Sequence, residues 1–176
     1  MSNTWFWSDP HFFHTNIIKL SNRPFTSVEE MNETLIDNFN SVVRQGDKVY
    51  CLGDFSFGDK EETESIYRKL NKCQHHLILG NHDADTVSKL SWNWIKPYYE
   101  LKEVGHKFIL FHYPIQSWSG AYRNSYHLHG HCHGHVKSDN IKRMDVGVDC
   151  CDFMPINLDE IITKLKDRTF SEKVDM

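Results

Sequence analysis

Apolar residues in this chain come in short runs, and each run stops at a polar cluster. Thr4-Trp5-Phe6-Trp7 gives way to Ser8-Asp9-Pro10-His11, and "KVYCL" (48–52) to Gly53-Asp54. "HLIL" (76–79) gives way to Gly80-Asn81-His82-Asp83, and "KFILF" (107–111) to His112-Tyr113-Pro114. "YHL" (126–128) leads into the histidine-rich stretch 129–135, and "MDVGVD" (144–149) is one more β-prone run. Runs this short, closed by turn-forming residues, predict buried strands followed by loops.

Between them the period changes. Over 27–44, Val28, Met31, Leu35, Phe39 and Val42 recur at steps of three and four, which predicts one apolar helix face. Ser27 and Glu30 have capping-box spacing at its start. A second helix is expected over about 60–71, with Ile66 and Leu70 inward, and a third from Asn157, with Glu160 three residues on and Leu158, Ile161, Ile162 and Leu165 inward. Segment 85–100 fits neither period, and Pro97 limits any helix there. Strands alternating with helices predict the α/β class, in which ligands collect beyond the strand ends. All five polar clusters fall there. No repeat or composition shift divides the chain, so one domain over residues 1–176 is expected.

Composition narrows the partners. A formal charge of −4 gives no global basic field, so no broad nucleic-acid surface is expected, although Lys137, Lys142 and Arg143 could form a local patch. The start, "MSNTWFWSDPHFF", lacks the basic and apolar regions of a signal peptide. No run approaches the roughly 18 apolar residues of a membrane span. Five cysteines without framework spacing suit reduced thiols, and a cytoplasmic protein without membrane contact is the expectation.

Histidines occupy every second position from His127 to His135, five of the 12 in the chain. Such a stretch is either part of a metal site or a His-rich strand edge. On an extended segment i and i+2 share a face, so Asp9 with His11, and His131 with His133, are expected to reach a common ion. Alone, Asp9-x-His11 reads as a turn, Gly53-Asp54 as turn chemistry and His112 as a satisfied strand-end histidine. Together, five strand ends finish in oxygen or nitrogen donors. Carboxylate, amide oxygen and imidazole without thiolate pairs differ from a structural zinc site and suit two divalent cations. Mn²⁺ or Fe²⁺ lead, with Zn²⁺ or Ni²⁺ as alternatives.

The ordered set Asp-x-His, Gly-Asp, Gly-Asn-His-Asp, His and Gly-His-x-His, over residues 9–133, resembles the calcineurin-like metallophosphoesterase superfamily. "SDPHFFHTNII", "NRPF", "FHYP", "HLHGHCHGH" and "DVGVD" are similar to its small stand-alone bacterial and phage members. The resemblance implies a four-layer α-β-β-α sandwich with two mixed sheets and a metal site at the strand C-terminal ends. It implies that Asp9, His11 and His133 hold one ion, that Asn81, His112 and His131 hold the other, and that Asp54 bridges both. His82 would face the scissile phosphoester as general acid, with attack by metal-activated hydroxide. His127, His129 and His135 match no ligand position and are expected to pack or to support ligands.

One departure bears on the substrate. Many relatives have Gly-Asp-x-x-Asp, and the protein-phosphatase branch adds Arg-Gly. Here Gly53-Asp54 runs into Phe55-Ser56-Phe57-Gly58, without the second acid or the arginine. The expected enzyme is therefore a phosphoric ester hydrolase with diesters ahead of monoesters, acting on small-molecule phosphoesters or nucleotides. A nuclease working on nucleic-acid ends is the alternative, and a non-catalytic protein-binding scaffold is the rival from another class. Arg23 and Arg143 are candidate phosphate contacts, with solvated surface charge as the competing role. Trp92, Trp94, Tyr98, Tyr99, Trp118 and Tyr122 are candidates to stack a base, packing being the commoner role. Asp83 is a candidate to orient His82.

Overall fold

The computed structural model describes residues 2–136 and 141–169; Lys137 lies outside them. The first sheet contains β1 (Thr4–Trp7), β2 (Lys48–Cys51), β3 (Gln74–Ile78), β4 (Trp94–Lys96) and β9 (Ile156–Asn157). Its order is β4-β3-β2-β1-β9, parallel except for β9, which runs antiparallel to β1. The second sheet contains β5 (Tyr98–Glu103), β6 (His106–Phe111), β7 (Tyr126–His129) and β8 (Arg143–Asp145), in that order. β5 and β6 are antiparallel; β6, β7 and β8 are parallel. Both sheets are mixed, as expected.

Alternation along the first strands builds two cores at once. Trp7, Val49, Cys51 and Leu77 face one way, onto helices α1 (Thr15–Leu20), α2 (Val28–Val42) and α3 (Lys60–Lys69). Met31, Leu35 and Phe39 of α2 meet them with the predicted helical period. Phe6, Tyr50, Leu52 and Ile78 face the other way, against Leu101, Phe108, Leu110, Tyr126 and Leu128 of the second sheet. Leu158, Ile161 and Leu165 of α5 (Leu158–Leu165) join this inter-sheet core. The outer side of the second sheet is covered thinly, by Trp118, Ile141 and a 3-10 turn at Ala121–Arg123 packed on Ile109.

The local signals differ from expectation in three places. Ser27 Oγ accepts from Glu30 N at 3.1 Å, but the Glu30 carboxylate reaches one residue further back, to Thr26 N and Oγ1 at 2.7 and 2.6 Å. The complete capping box is at Asp59 and Glu62, opening α3. Segment 85–100 divides into α4 (Asp85–Ser88), β4 and the start of β5, with Pro97 between the two strands. Proline cannot donate to a ladder, and here the chain leaves one sheet for the other. Trp92, Trp94 and Tyr99 pack against the cores and Trp118 is buried, so the packing role holds for these four.

Candidate metal centre

The loop after β1 runs beside the loop after β2 and stays paired with it. Asp9 N donates to Gly53 O at 3.0 Å, His11 N to Asp54 O at 3.1 Å and Phe12 N to Phe55 O at 3.0 Å. The second sheet is joined to the same place: Gly130 N donates to His112 O at 3.0 Å and His131 N to Asp9 Oδ2 at 2.9 Å. The backbone there is not extended, contrary to the geometry expected for the two i, i+2 pairs. Asp9, His11, Asp54, His131 and His133 all have φ between 45° and 69°. Left-handed residues alternating with ordinary ones curl each loop so that its paired side chains still turn inward. Each such residue costs about 1–3 kcal/mol, which the surrounding hydrogen bonds must hold in place.

Two groups of donor atoms result. Asp9, His11 and His133 present ligand atoms within 4.8 Å of one another, and so do Asp54, His112 and His131. Asp54 Oδ2 lies 3.6 Å from His11 Nε2 in the first group and 3.6 Å from His112 Nε2 in its own. Asn81 Oδ1 lies 2.9 Å from His112 Nε2. All seven sequence candidates for metal binding are thus gathered at one end of the sheets.

The donors fit cations on local grounds. Asp9 Oδ1 and His11 Nε2 are buried without a hydrogen-bond partner, 3.7 Å apart. A carboxylate oxygen and an imidazole nitrogen left this way cost more than 1 kcal/mol each unless something satisfies them. His112 Nδ1 meets Leu52 O at 2.6 Å. A neutral ring has one N–H, so Nε2 turns a lone pair toward Asn81 Oδ1 unless the amide is reversed. A cation between those two atoms satisfies both. Burial pushes Asp9 up, but the nearby His11 ring and the charges of His112, His11 and His133 outweigh this and hold it below the usual carboxylate range.

The Nδ1 side of three of the four rings is also engaged. His133 Nδ1 is 2.7 Å from Asp149 Oδ2, and His11 Nδ1 is 3.2 Å from His14 Nδ1. With Leu52 O on His112, three rings are therefore turned with Nε2 toward the centre. His127 and His129 are buried and bonded to backbone, His127 Nδ1 to Ile109 O at 3.1 Å and His129 Nδ1 to Gly130 O at 2.9 Å. His135 is exposed.

His82 is exposed beside the centre, its ring 4.9 Å from Phe57 and 6.1 Å from His11. Its backbone N–H donates to Asp54 Oδ1 at 2.8 Å. Asp83 does not orient it. Both Asp83 oxygens take backbone N–H groups, from Phe55 at 2.8 Å, Gly80 at 2.8 Å and Asp54 at 3.0 Å, and so tie the two loops together.

Arg23 and Arg143 do not meet their expected role. Both are buried. The Arg23 guanidinium is committed to Asp149 and to the carbonyls of Asp9 and Pro10, and Arg143 Nη1 donates to Ile115 O at 3.1 Å. Charge alone gives a surface reading; only the distant Asp149 reveals why an arginine follows Asn22. Asp149, His14 and Phe57 are site neighbours that motif reasoning passed over. Asp149 closes the "DVGVD" run, the one visible hint of its place. Among the described residues no helix is long and apolar enough to cross a membrane.

The chain is similar to several known proteins. Protein MJ1445 of Methanocaldococcus jannaschii is 37% identical over 165 residues, covering 88% of this chain and 86% of that protein. The gene 66 protein of Mycobacterium phage D29 is 27% identical over 199 residues, covering 95% and 98%. The crystal structure of AQ665 from Aquifex aeolicus, described as a protein of unknown function, has a TM-score of 0.73 at 27% identity and covers 93% of this chain and all of its own. The model of the calcineurin-like phosphoesterases matches residues 3–161, a span that holds every donor of both groups, and the chain belongs to that family.

Proposed function

We propose that the protein hydrolyses phosphodiesters of nucleotide type with two divalent cations, Mn²⁺ or Fe²⁺ first, and that phosphomonoesters are poorer substrates. The observation that carries the two-cation reading is Asp54, whose Oδ2 stands 3.6 Å from histidines of both groups. When bound, the cations supply an acidified water and offset charge on the phosphoryl oxygens. The chain's own part is positional. Asp9, His11 and His133 take one ion, Asn81, His112 and His131 the other, and Asp54 serves both. His82, exposed at the rim, donates a proton to the departing alkoxide, a step worth about 10²–10⁴-fold.

Two features favour diesters carrying a flat group. The segment after Asp54 lacks the second acid and the arginine of the protein phosphatases. Exposed rings also flank the centre, Phe57 beside His82 and Tyr113 with its ring 4.6 Å from that of His131. Such rings can stack a base. The test pairs elemental analysis of bound metal with turnover of aryl phosphodiesters and monoesters in added Mn²⁺, with Asn81→Ala as the blank. Two ions per chain and diester turnover are expected. Wild-type protein with neither metal nor turnover would overturn the proposal.

A further inference from the structure

We propose that Arg23 and Asp149 form the positioning pair of the first ion site, aligning Asp9, His11 and His133 together. The inference rests on the metal reading above and adds residues that touch neither ion nor substrate.

Arg23 lies between α1 and α2, and its side chain is fully buried. Nε and Nη2 fork onto Asp149 Oδ1 and Oδ2, each at 2.8 Å. Nη2 also donates to Asp9 O at 2.8 Å and Nη1 to Pro10 O at 2.9 Å. Those carbonyls belong to the turn in which Asp9 and His11 hold φ of 56° and 52°. The guanidinium therefore clamps a strained turn from behind while its ligands face the centre. Asp149 Oδ2 continues the chain to His133 Nδ1 at 2.7 Å. One buried cation thus reaches, directly or through Asp149, both loops that carry the first donor group.

The chemistry of the pairing is specific. A carboxylate on Nδ1 keeps that nitrogen protonated, leaves Nε2 as the ligand atom and makes the ring a better donor. The bidentate fork stops Asp149 from rotating away and keeps its charge compensated. In the second group the corresponding support is neutral: His112 Nδ1 rests on Leu52 O. A buried ion pair is weak evidence for stability, so its placement against both donor loops points to alignment as its task. The two sites should therefore respond differently to loss of the pair.

Full truncation of Arg23 would strand a buried charge, so the test uses Asp149→Asn and Arg23→Lys. Chelator-stripped proteins are titrated with Mn²⁺ by calorimetry and with Co²⁺ by visible absorption, and the metal-free forms are melted. Wild type is expected to bind two ions. In Asp149→Asn one binding step should weaken 10–100-fold with an altered Co²⁺ spectrum, while the other step stays put. Arg23→Lys should weaken the same step, and combining both substitutions should cost less than the sum. Asn81→Ala should weaken the opposite step. Unchanged binding of both ions in Asp149→Asn, or equal weakening of both steps, overturns the pairing while leaving the two-metal reading intact. A wild type that binds no ion removes the metal reading and the pairing with it.

Discussion

Acid should unfold this protein through histidines that bind no metal. His127 is buried under Trp118, with ring centroids 5.3 Å apart, and burial pulls it down to about 3, aided by His129 and Arg143 and opposed by the Ile109 and Tyr113 carbonyls. His75 is buried in the helix-side core, stacked 5.7 Å from Phe39, and burial pulls it down to about 4 against the Asn71 carbonyl. Both rings titrate lower folded than at their unfolded value of 6.5. Between those pH values the unfolded chain binds more protons, so stability falls as pH falls through 6.5. At pH 5 each ring contributes a loss of about 2 kcal/mol, hence about 4 kcal/mol for the two. That is a large part of the 5–15 kcal/mol typical of a domain. The assay is urea unfolding of chelator-stripped protein between pH 7.5 and 5, which separates this effect from loss of metal. Replacing both rings, as His75→Asn with His127→Asn, should flatten the profile. A wild-type loss below about 1 kcal/mol, or a profile equally steep without the two rings, would refute the reasoning.

Other outcomes follow from the centre itself. Asp54→Asn should lower occupancy of both ions and remove turnover, measured by elemental analysis and diester assay; two retained ions would contradict the bridging role. His82→Ala should keep both ions and slow turnover about 10²–10⁴-fold, most for alkoxide leaving groups, and an equal loss for every leaving group would exclude proton donation. In Gly80→Ala the new Cβ would collide with the Asp54 carboxylate, so metal affinity should drop along with thermal stability, read by titration and melting. Near-wild-type metal binding in that variant would show that the loops shift freely.

The candidate donors were legible because residues of donor type stand in order at strand ends and match the motif of the family the chain resembles. Asp9, His11, Asp54, Asn81, His112, His131 and His133 needed no contact information to be singled out. Their mutual approach did. The i, i+2 argument pointed Asp9 and His11 together by the wrong backbone, since left-handed conformations of Asp and His leave no mark in a pattern of apolar residues, and it paired His131 with His133, which stand in different donor groups. Arg23 was misread for a related reason. Its partner lies 126 residues away, and a buried ion pair looks like surface charge until both ends are seen. Pro97 announced a break in segment 85–100, but nothing local says that the break joins two sheets. Asp83 was judged by adjacency to His82, whereas its bonds run to the amides of Phe55, Gly80 and Asp54.

The ladder that continues past β1 and β2 has a metrical consequence. Neighbouring strands stand about 4.8 Å apart, and cooperating cations in hydrolases about 3.5–4 Å. Because Asp9 and His11 hang from one rail of that ladder and Asp54 from the next, the sheet itself acts as the ruler for how far apart these donors stand. Substitution of a donor can then remove a ligand, but only a slip of the rails can change how far apart the two loops carry their donors.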